Sequence, residues 1–297
     1  MHVLVQSAID GLLFGAIYAI AGASFGLIYN VTKVFHIAFG SIGTLGVYVA
    51  VSLAGNASSF GVITSTVFVG MLVGMLTTIA VVALVYQPLT NRAANSGSTF
   101  VSSLAVALVI QAVVVLIFGA DNRSFAIDSF VLRHNIGGFG ISEFHVVTIA
   151  LAVVVVAGLN AFINRTRFGQ QIRALAANRE QAELVGIRSR LVVSVACGAA
   201  GLLSVIAFVL LGMNGAVVAT GGTQLTLFAV LATIAGGSGS IVGTALVGAG
   251  LGLLGGISGA AVPGEWSTTV VFVCAVVLIL FRPQGISAPT AKRAAAA

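Results

Sequence analysis

Between Arg190 and Glu265 the chain carries no charged residue, and a second charge-free run extends from Lys33 to Arg92. A bilayer span needs about 20 mostly apolar residues, and several runs here reach that length. Only 7% of the residues are charged, against roughly 25% in soluble domains. The chain is 59% hydrophobic, with a mean hydropathy of +1.15. The runs are apolar on every side, whereas strands of a membrane β-barrel alternate apolar and polar residues over about 10 positions. The expectation is an all-α, polytopic membrane helical bundle of about eight spans. Residues 1–297 would form one integral-membrane domain, with no room for a soluble catalytic domain.

Spans are expected near 5–29, 34–54, 61–86, 98–119, 144–163, 191–213 and 266–281. The N-terminus lacks the basic start and small-residue cleavage site of a signal peptide, so the first run is read as a retained span. The stretch 224–257 is ambiguous. Its apolar halves meet at Gly236-Gly237-Ser238-Gly239-Ser240, and each half is short for a full crossing. It reads either as two short spans or as a re-entrant pair of half-helices buried among neighbours, where irregular backbone is tolerated.

Charge sets an orientation. Residues 164–190 hold Arg165, Arg167, Arg173, Arg179, Arg188 and Arg190, six of the thirteen basic residues. Cytoplasmic loops collect Lys and Arg. With this loop inside, alternation also places Lys33, Arg92, Arg282, Lys292 and Arg293 inside and leaves only Arg123 and Arg133 outside. The N-terminus is then outside, the C-terminus inside, and 224–257 enters and leaves by the outer face.

Small residues recur at four-residue spacing, as Gly11/Gly15, Gly22/Gly26, Gly70/Gly74 and Gly248/Gly252/Gly256. Such pairs let membrane helices approach closely, and packing is their reading here. Chemistry-bearing motifs do not emerge. No Asp, Glu, Lys or Arg falls in the middle of an expected span, and His36 is the one histidine expected within one. Cys197 and Cys274 are too isolated for a disulfide framework or a zinc site. The cluster GGSGSIVG at 236–243 lacks the lysine of a Walker loop and does not give GxGxxG. Catalytic residues, metal ligands and cofactor sites are therefore expected to be none. Any energy for uphill transport would come from another polypeptide.

Within the Arg-rich loop, Phe168, Ile172, Leu175 and Ala176 follow helical spacing. A break follows at Ala177-Asn178. Asn178 suits an N-cap, with Gln181 three residues on. Glu180 and Glu183 lie where a helix N-terminus favours negative charge. Ala182 and Val185 share an apolar face, and Gly186 suits a C-terminal stop. So short a helix is marginal alone, since isolated helices under about 12–15 residues are poorly stable. It needs a surface, and the two glutamates favour a soluble partner over anionic lipid.

Four segments in order resemble one family. They are GLLFGAIYAIAGASFGLIYNVTKVFHIAFG (11–40), NREQAELVGIRS (178–189), ATIAGGSGSIVGTALVGAGLG (232–252) and FRPQGI (281–286). Together they resemble the permease subunits of bacterial ATP-binding-cassette importers of the branched-chain amino acid type. That resemblance implies an inner-membrane assembly with cytoplasmic ATPase subunits, a second permease subunit and an extracytoplasmic solute-binding protein. It implies that Asn178, Arg179, Ala182, Gly186 and Ile187 form the ATPase-coupling segment. It also makes His36, Ala38, Phe39, Gly40 and Ser41 candidates for the substrate path. Typical members read Asn-Phe-Ala-His-Gly-Glu at that last stretch, so here Ala38 and Gly40 match while the polar positions are exchanged or lost. Amides and urea-like compounds then stand beside branched-chain amino acids as solutes. The residues alone also admit a self-contained facilitator or channel, or a membrane assembly protein.

Overall fold

Every expected span is a helix. The computed structural model describes residues 2–56, 59–92, 96–125, 133–136, 139–237, 239–282 and 285–286. Lys292 and Arg293 of the charge count, and Ser238, Pro283 and Gln284 of the quoted motifs, lie outside the described residues. Helix α1 is His2–Thr32, α2 is Ala38–Ala54 and α3 is Phe60–Val81. A π-helical turn over Val82–Tyr86 carries α3 into the short α4, Gln87–Asn91. Then come α5 (Ser96–Phe118), α6 (Glu143–Arg165), α7 (Arg167–Ala177), α8 (Arg179–Leu184) and α9 (Ser189–Asn214). Helices α10 (Gly222–Gly236), α11 (Ile241–Ala261) and α12 (Gly264–Phe281) complete the described bundle. Six of these segments are long and apolar enough to cross a membrane, and three shorter apolar helices accompany them.

Helix α1 is the buried axis. It packs against α6, α9, α10 and α11, and from Leu13 to Ile28 most of its side chains are sequestered. The glycine spacing explains the approach. A methyl group on Gly252 would lie 2.1 Å from the Gly15 nitrogen, and one on Gly70 would lie 2.4 Å from the Gly46 carbonyl oxygen. Side chains at these positions would force the helices apart. Several threonine hydroxyls, which would be costly if left unpaired in lipid, donate back into their own helices, whereas those of Thr44 and Thr148 are buried without a hydrogen-bond partner among the described residues. Thr78 donates to the Gly74 carbonyl at 2.8 Å and Thr226 to the Gly222 carbonyl at 2.8 Å. Thr233 donates both to Ala229 in α10 and across to Gly22 in α1.

The outer helices are apolar where they are exposed. Leu84, Leu108, Leu116, Val153 and Val154 stand out from α3 through α6. Hydrocarbon tails are as apolar as leucine, so these surfaces cost nothing in a bilayer.

Residues 224–257 resolve into two antiparallel helices, α10 and α11, joined by a tight turn. Gly237 turns at φ +97°, and the Ser240 hydroxyl caps α11 by accepting from the Gly243 N–H at 3.0 Å. The segment after α12 closes onto this turn: Ile286 N–H donates to the Ala235 carbonyl at 2.9 Å. Gly285, at φ +80°, lies so near Gly237 that a methyl group there would come within 2.4 Å of its Cα. Gly285 of the Arg-Pro-x-Gly pattern thus has a packing reason.

Opposite that end, an antiparallel hairpin pairs β1 (Arg133–Ile136) with β2 (Phe139–Ser142). In the sequence this region falls between the spans expected near 98–119 and 144–163. The Gly137-Gly138 pair between two short strands is the turn signal that could have found it. Nearby, Arg123 and Val217 exchange backbone hydrogen bonds of 3.0 and 2.8 Å, and the Tyr48 hydroxyl donates to the carbonyls of Asp121 and Val217.

Candidate functional site

The Arg-rich loop folds into α7 and α8. Thr166 caps α7 by accepting from the Gly169 N–H at 3.0 Å. Ile172 and Leu175 are buried, and α7 packs on α1, α6 and α9. Arg173 donates to the last-turn carbonyl of Ile163 at 2.8 Å and to Asn164 at 2.9 Å, a cationic cap on α6.

Asn178 then starts α8, its side chain accepting from the Gln181 N–H at 3.1 Å. The end is a Schellman motif. The Gly186 N–H donates to Glu183 and the Ile187 N–H to Ala182, with Gly186 at φ +86°. Arg179 pairs with Glu183 at 3.1 Å along one face. The Glu183 carboxyl is held below its usual range, first by the Ser189 hydroxyl and then by Arg179. A helix of one and a half turns is thus locked at both ends.

Its faces differ from the pattern-based reading. Ala182 is 3% exposed and points into the chain's own core, whereas Leu184 and Val185 are 86% and 77% exposed. Ala182 and Val185 therefore do not share a face. Val185 is the C-cap residue of α8, and the chain's own core reaches Ala182 but not Val185, which spacing alone does not reveal. Asn178 and Gly186 are exposed, while Arg179 and Ile187 are half-buried.

Residues 36–41 run from the break between α1 and α2 into the first turn of α2. Lys33 adopts φ +55° and ends the helical path. His36, Ala38 and Phe39 are buried, and Ser41 is half-buried. The His36 Nδ1 lies 2.5 Å from the Tyr86 hydroxyl, and the Ala38 N–H donates to the Ser103 hydroxyl at 3.4 Å. Phe39 meets Phe25 edge-on, and Gly40 abuts the start of α10 at Gly222. The stretch knits α2 to its neighbours.

An open groove lies elsewhere, between α1, α10, α11 and α12. Its volume is about 450 Å³, and Ser7, Asp10, Tyr18, Gln224, Phe228 and Ser267 are among the residues that line it. Tyr18 stacks on Phe228 with ring centroids 4.6 Å apart, and Phe228 stacks on Phe272 at 5.2 Å. The Asp10 carboxylate takes His145 Nε2 at 3.1 Å and the Gln6 amide at 3.3 Å. His145 in turn lies 2.7 Å from the Ser142 hydroxyl. The site is not legible in the sequence, because its residues come from distant helices. Asp10, the one acidic residue of α1, with Phe14 and Tyr18 at four-residue steps after it, is the available signal. No group of three or more His, Cys, Asp or Glu that could hold a metal occurs among the described residues.

A close-packed helical membrane bundle, with a mixed polar and aromatic groove and a capped loop helix, defines a multi-pass membrane protein of the permease class. The chain belongs to the branched-chain amino acid transport system / permease component family, which it matches over residues 7–281. It is similar to the high-affinity branched-chain amino acid transport system permease protein BraD of Pseudomonas aeruginosa, at 27% identity over 95% of each chain. LivH of Escherichia coli K12, a permease protein of the same printed description, is 24% identical over 95% of this chain and 94% of its own. PsaBC from Streptococcus pneumoniae in complex with Fab aligns with 96% of this chain at 13% identity and a TM-score of 0.49. As a member of this family the chain is a transport subunit of ATP-binding-cassette type and not an enzyme.

Proposed function

We propose that this chain is the permease of an ATP-driven importer for branched-chain or related amino acids in the bacterial cytoplasmic membrane. Residues 1–297 act as one integral-membrane domain, beside a second permease subunit and lipid. Cytoplasmic ATPases drive it, and an extracytoplasmic binding protein delivers the solute. The N-terminus lies outside and segment 164–190 inside.

The observation that carries this reading is α8. Two large apolar side chains, Leu184 and Val185, stand almost fully exposed on a helix fixed at both ends. Exposed side chains of this size on a rigid support suit a partner's groove better than water. Asn178, Arg179, Ala182, Gly186 and Ile187 hold the helix to the permease and set its angle, while Leu184 and Val185 meet the ATPase. Movement of the ATPase then passes through α7 and α9 into the spans. His36, Ala38, Phe39, Gly40 and Ser41 support the path from behind, at the joint between α1 and α2, and the groove near Tyr18 receives the solute.

Co-purification tests this. A Leu184→Glu/Val185→Asp variant folds as the wild type does but loses the ATPase that accompanies the wild-type chain. An intact chain that carries no ATPase in either form points instead to a self-contained facilitator. Ala182→Glu would not separate these outcomes, because it buries a charge in the chain itself.

A further inference from the structure

Helices α1, α6 and α11 leave a second crevice between them, of about 420 Å³. Its floor is alanine, with Ala16, Ala152 and Ala245 buried there. Its rim is leucine and valine, with Leu12, Val153 and Leu246 39%, 63% and 64% exposed. The rim therefore runs into the apolar outer surface that meets hydrocarbon. An unfilled apolar crevice forfeits the dispersion contacts its lining atoms could make, and water is absent at this depth in a bilayer. Asn160 is the one polar residue of the lining. From it a relay of hydrogen bonds leads out of the crevice. The Asn164 amide donates to the Asn160 side-chain oxygen at 2.8 Å, and Arg173 Nη1 donates to the Asn164 oxygen at 2.9 Å. Arg173 is exposed, and among the described residues Nη1 makes both of its bonds, to Ile163 and Asn164. A guanidinium carries five N–H donors, which leaves Nε and Nη2 for an outside acceptor. Arg165 and Arg167 are exposed at the same end of the bundle, and no acidic residue occurs between Glu143 and Glu180.

We propose that this crevice holds one anionic phospholipid, an acyl chain along the alanine floor and the phosphate at Arg173. The Asn160 amide, whose oxygen takes Asn164, turns its NH₂ donors to a glycerol ester carbonyl between the two. Basic pockets between membrane helices on the cytoplasmic side suit acidic headgroups, and with segment 164–190 inside the lipid belongs to that leaflet. A helix of a neighbouring subunit could cover the apolar floor but brings no anion to Arg173, so charge favours lipid. Bound there, the lipid splints the corner between α6 and α7, against which α8 packs. The proposal is independent of which solute is carried and of what drives it.

Quenching by brominated lipid tests this on the full chain in vesicles. Trp266→Phe removes the chain's one tryptophan, and Val153→Trp puts a reporter on the crevice rim. A separate Leu108→Trp reporter stands on the exposed face of α5, outside the crevice. Dibrominated phosphatidylglycerol should quench the rim reporter at about fivefold lower mole fraction than dibrominated phosphatidylcholine, the usual worth of one arginine near an anionic headgroup. The Leu108→Trp reporter should show no such preference. Arg173→Gln should abolish the preference at the rim and Arg173→Lys should keep it. Ala157→Leu, which fills the crevice from its exposed side, should abolish it as well. Unchanged quenching of the Leu108→Trp reporter shows that each variant is folded in the bilayer. Equal quenching by both lipids at the rim, or an undiminished preference in Arg173→Gln, overturns the proposal. A rim reporter that neither lipid quenches also overturns it, and assigns the crevice to a helix of a second copy of this chain.

Discussion

Where α1 meets α11 the fold depends on single hydrogen atoms. Gly252→Ala places a methyl group against the Gly15 backbone, and overpacking of this kind costs about 1–3 kcal/mol. Gly250 lies two residues away on the same helix with nothing within 4 Å of its missing side chain. There alanine should gain about 0.5–1 kcal/mol, the usual penalty for glycine within a helix. Thermal unfolding in detergent separates the two, with a lower midpoint for Gly252→Ala and an equal or higher one for Gly250→Ala. The four-residue spacing made this contact legible in the sequence. The groove was less so, because Asp10, Gln224 and Phe228 meet only once the α10–α11 hairpin has folded back along α1.

Among the elements, α8 was the most legible, since its cap and its stop are both written in local residue types. Asn178 and Gly186 act as their chemistry predicts. The facing of Ala182 was not legible, because burial depends on how α8 leans on α7 and α9. Gly186→Ala should cost about 1–2 kcal/mol by forcing a side chain into the left-handed region. Open space surrounds that position, so the loss is conformational. Hydrogen exchange should rise at the Gly186 and Ile187 amides while α9 stays protected. Gly285→Val tests the closing contact in the same way. It should speed exchange at the Ile286 amide and the α10–α11 turn, because both its φ and the nearness of Gly237 oppose a side chain. The β1–β2 hairpin escaped the sequence reading because four-residue strands give too little alternation to register against long apolar helices.

For the whole molecule, length and hydropathy made the helical bundle legible, while the pairing of helices came from contacts between distant segments. Orientation is expected from charge. Cysteines at Glu180 and Asn122, both exposed and at opposite ends of the bundle, should react with an impermeant maleimide differently in intact cells. Asn122→Cys should label at once and Glu180→Cys only after permeabilisation; the reverse pattern would invert the topology. The central claim is that this chain is a passage driven by a partner's ATP hydrolysis through α8. Leucine uptake into vesicles holding the purified complex, with and without ATP, tests it most directly. Concentrative uptake that requires ATP and disappears in the Leu184→Glu/Val185→Asp variant is the expected result. Leucine that merely equilibrates without ATP, at the same rate in both proteins, would contradict it.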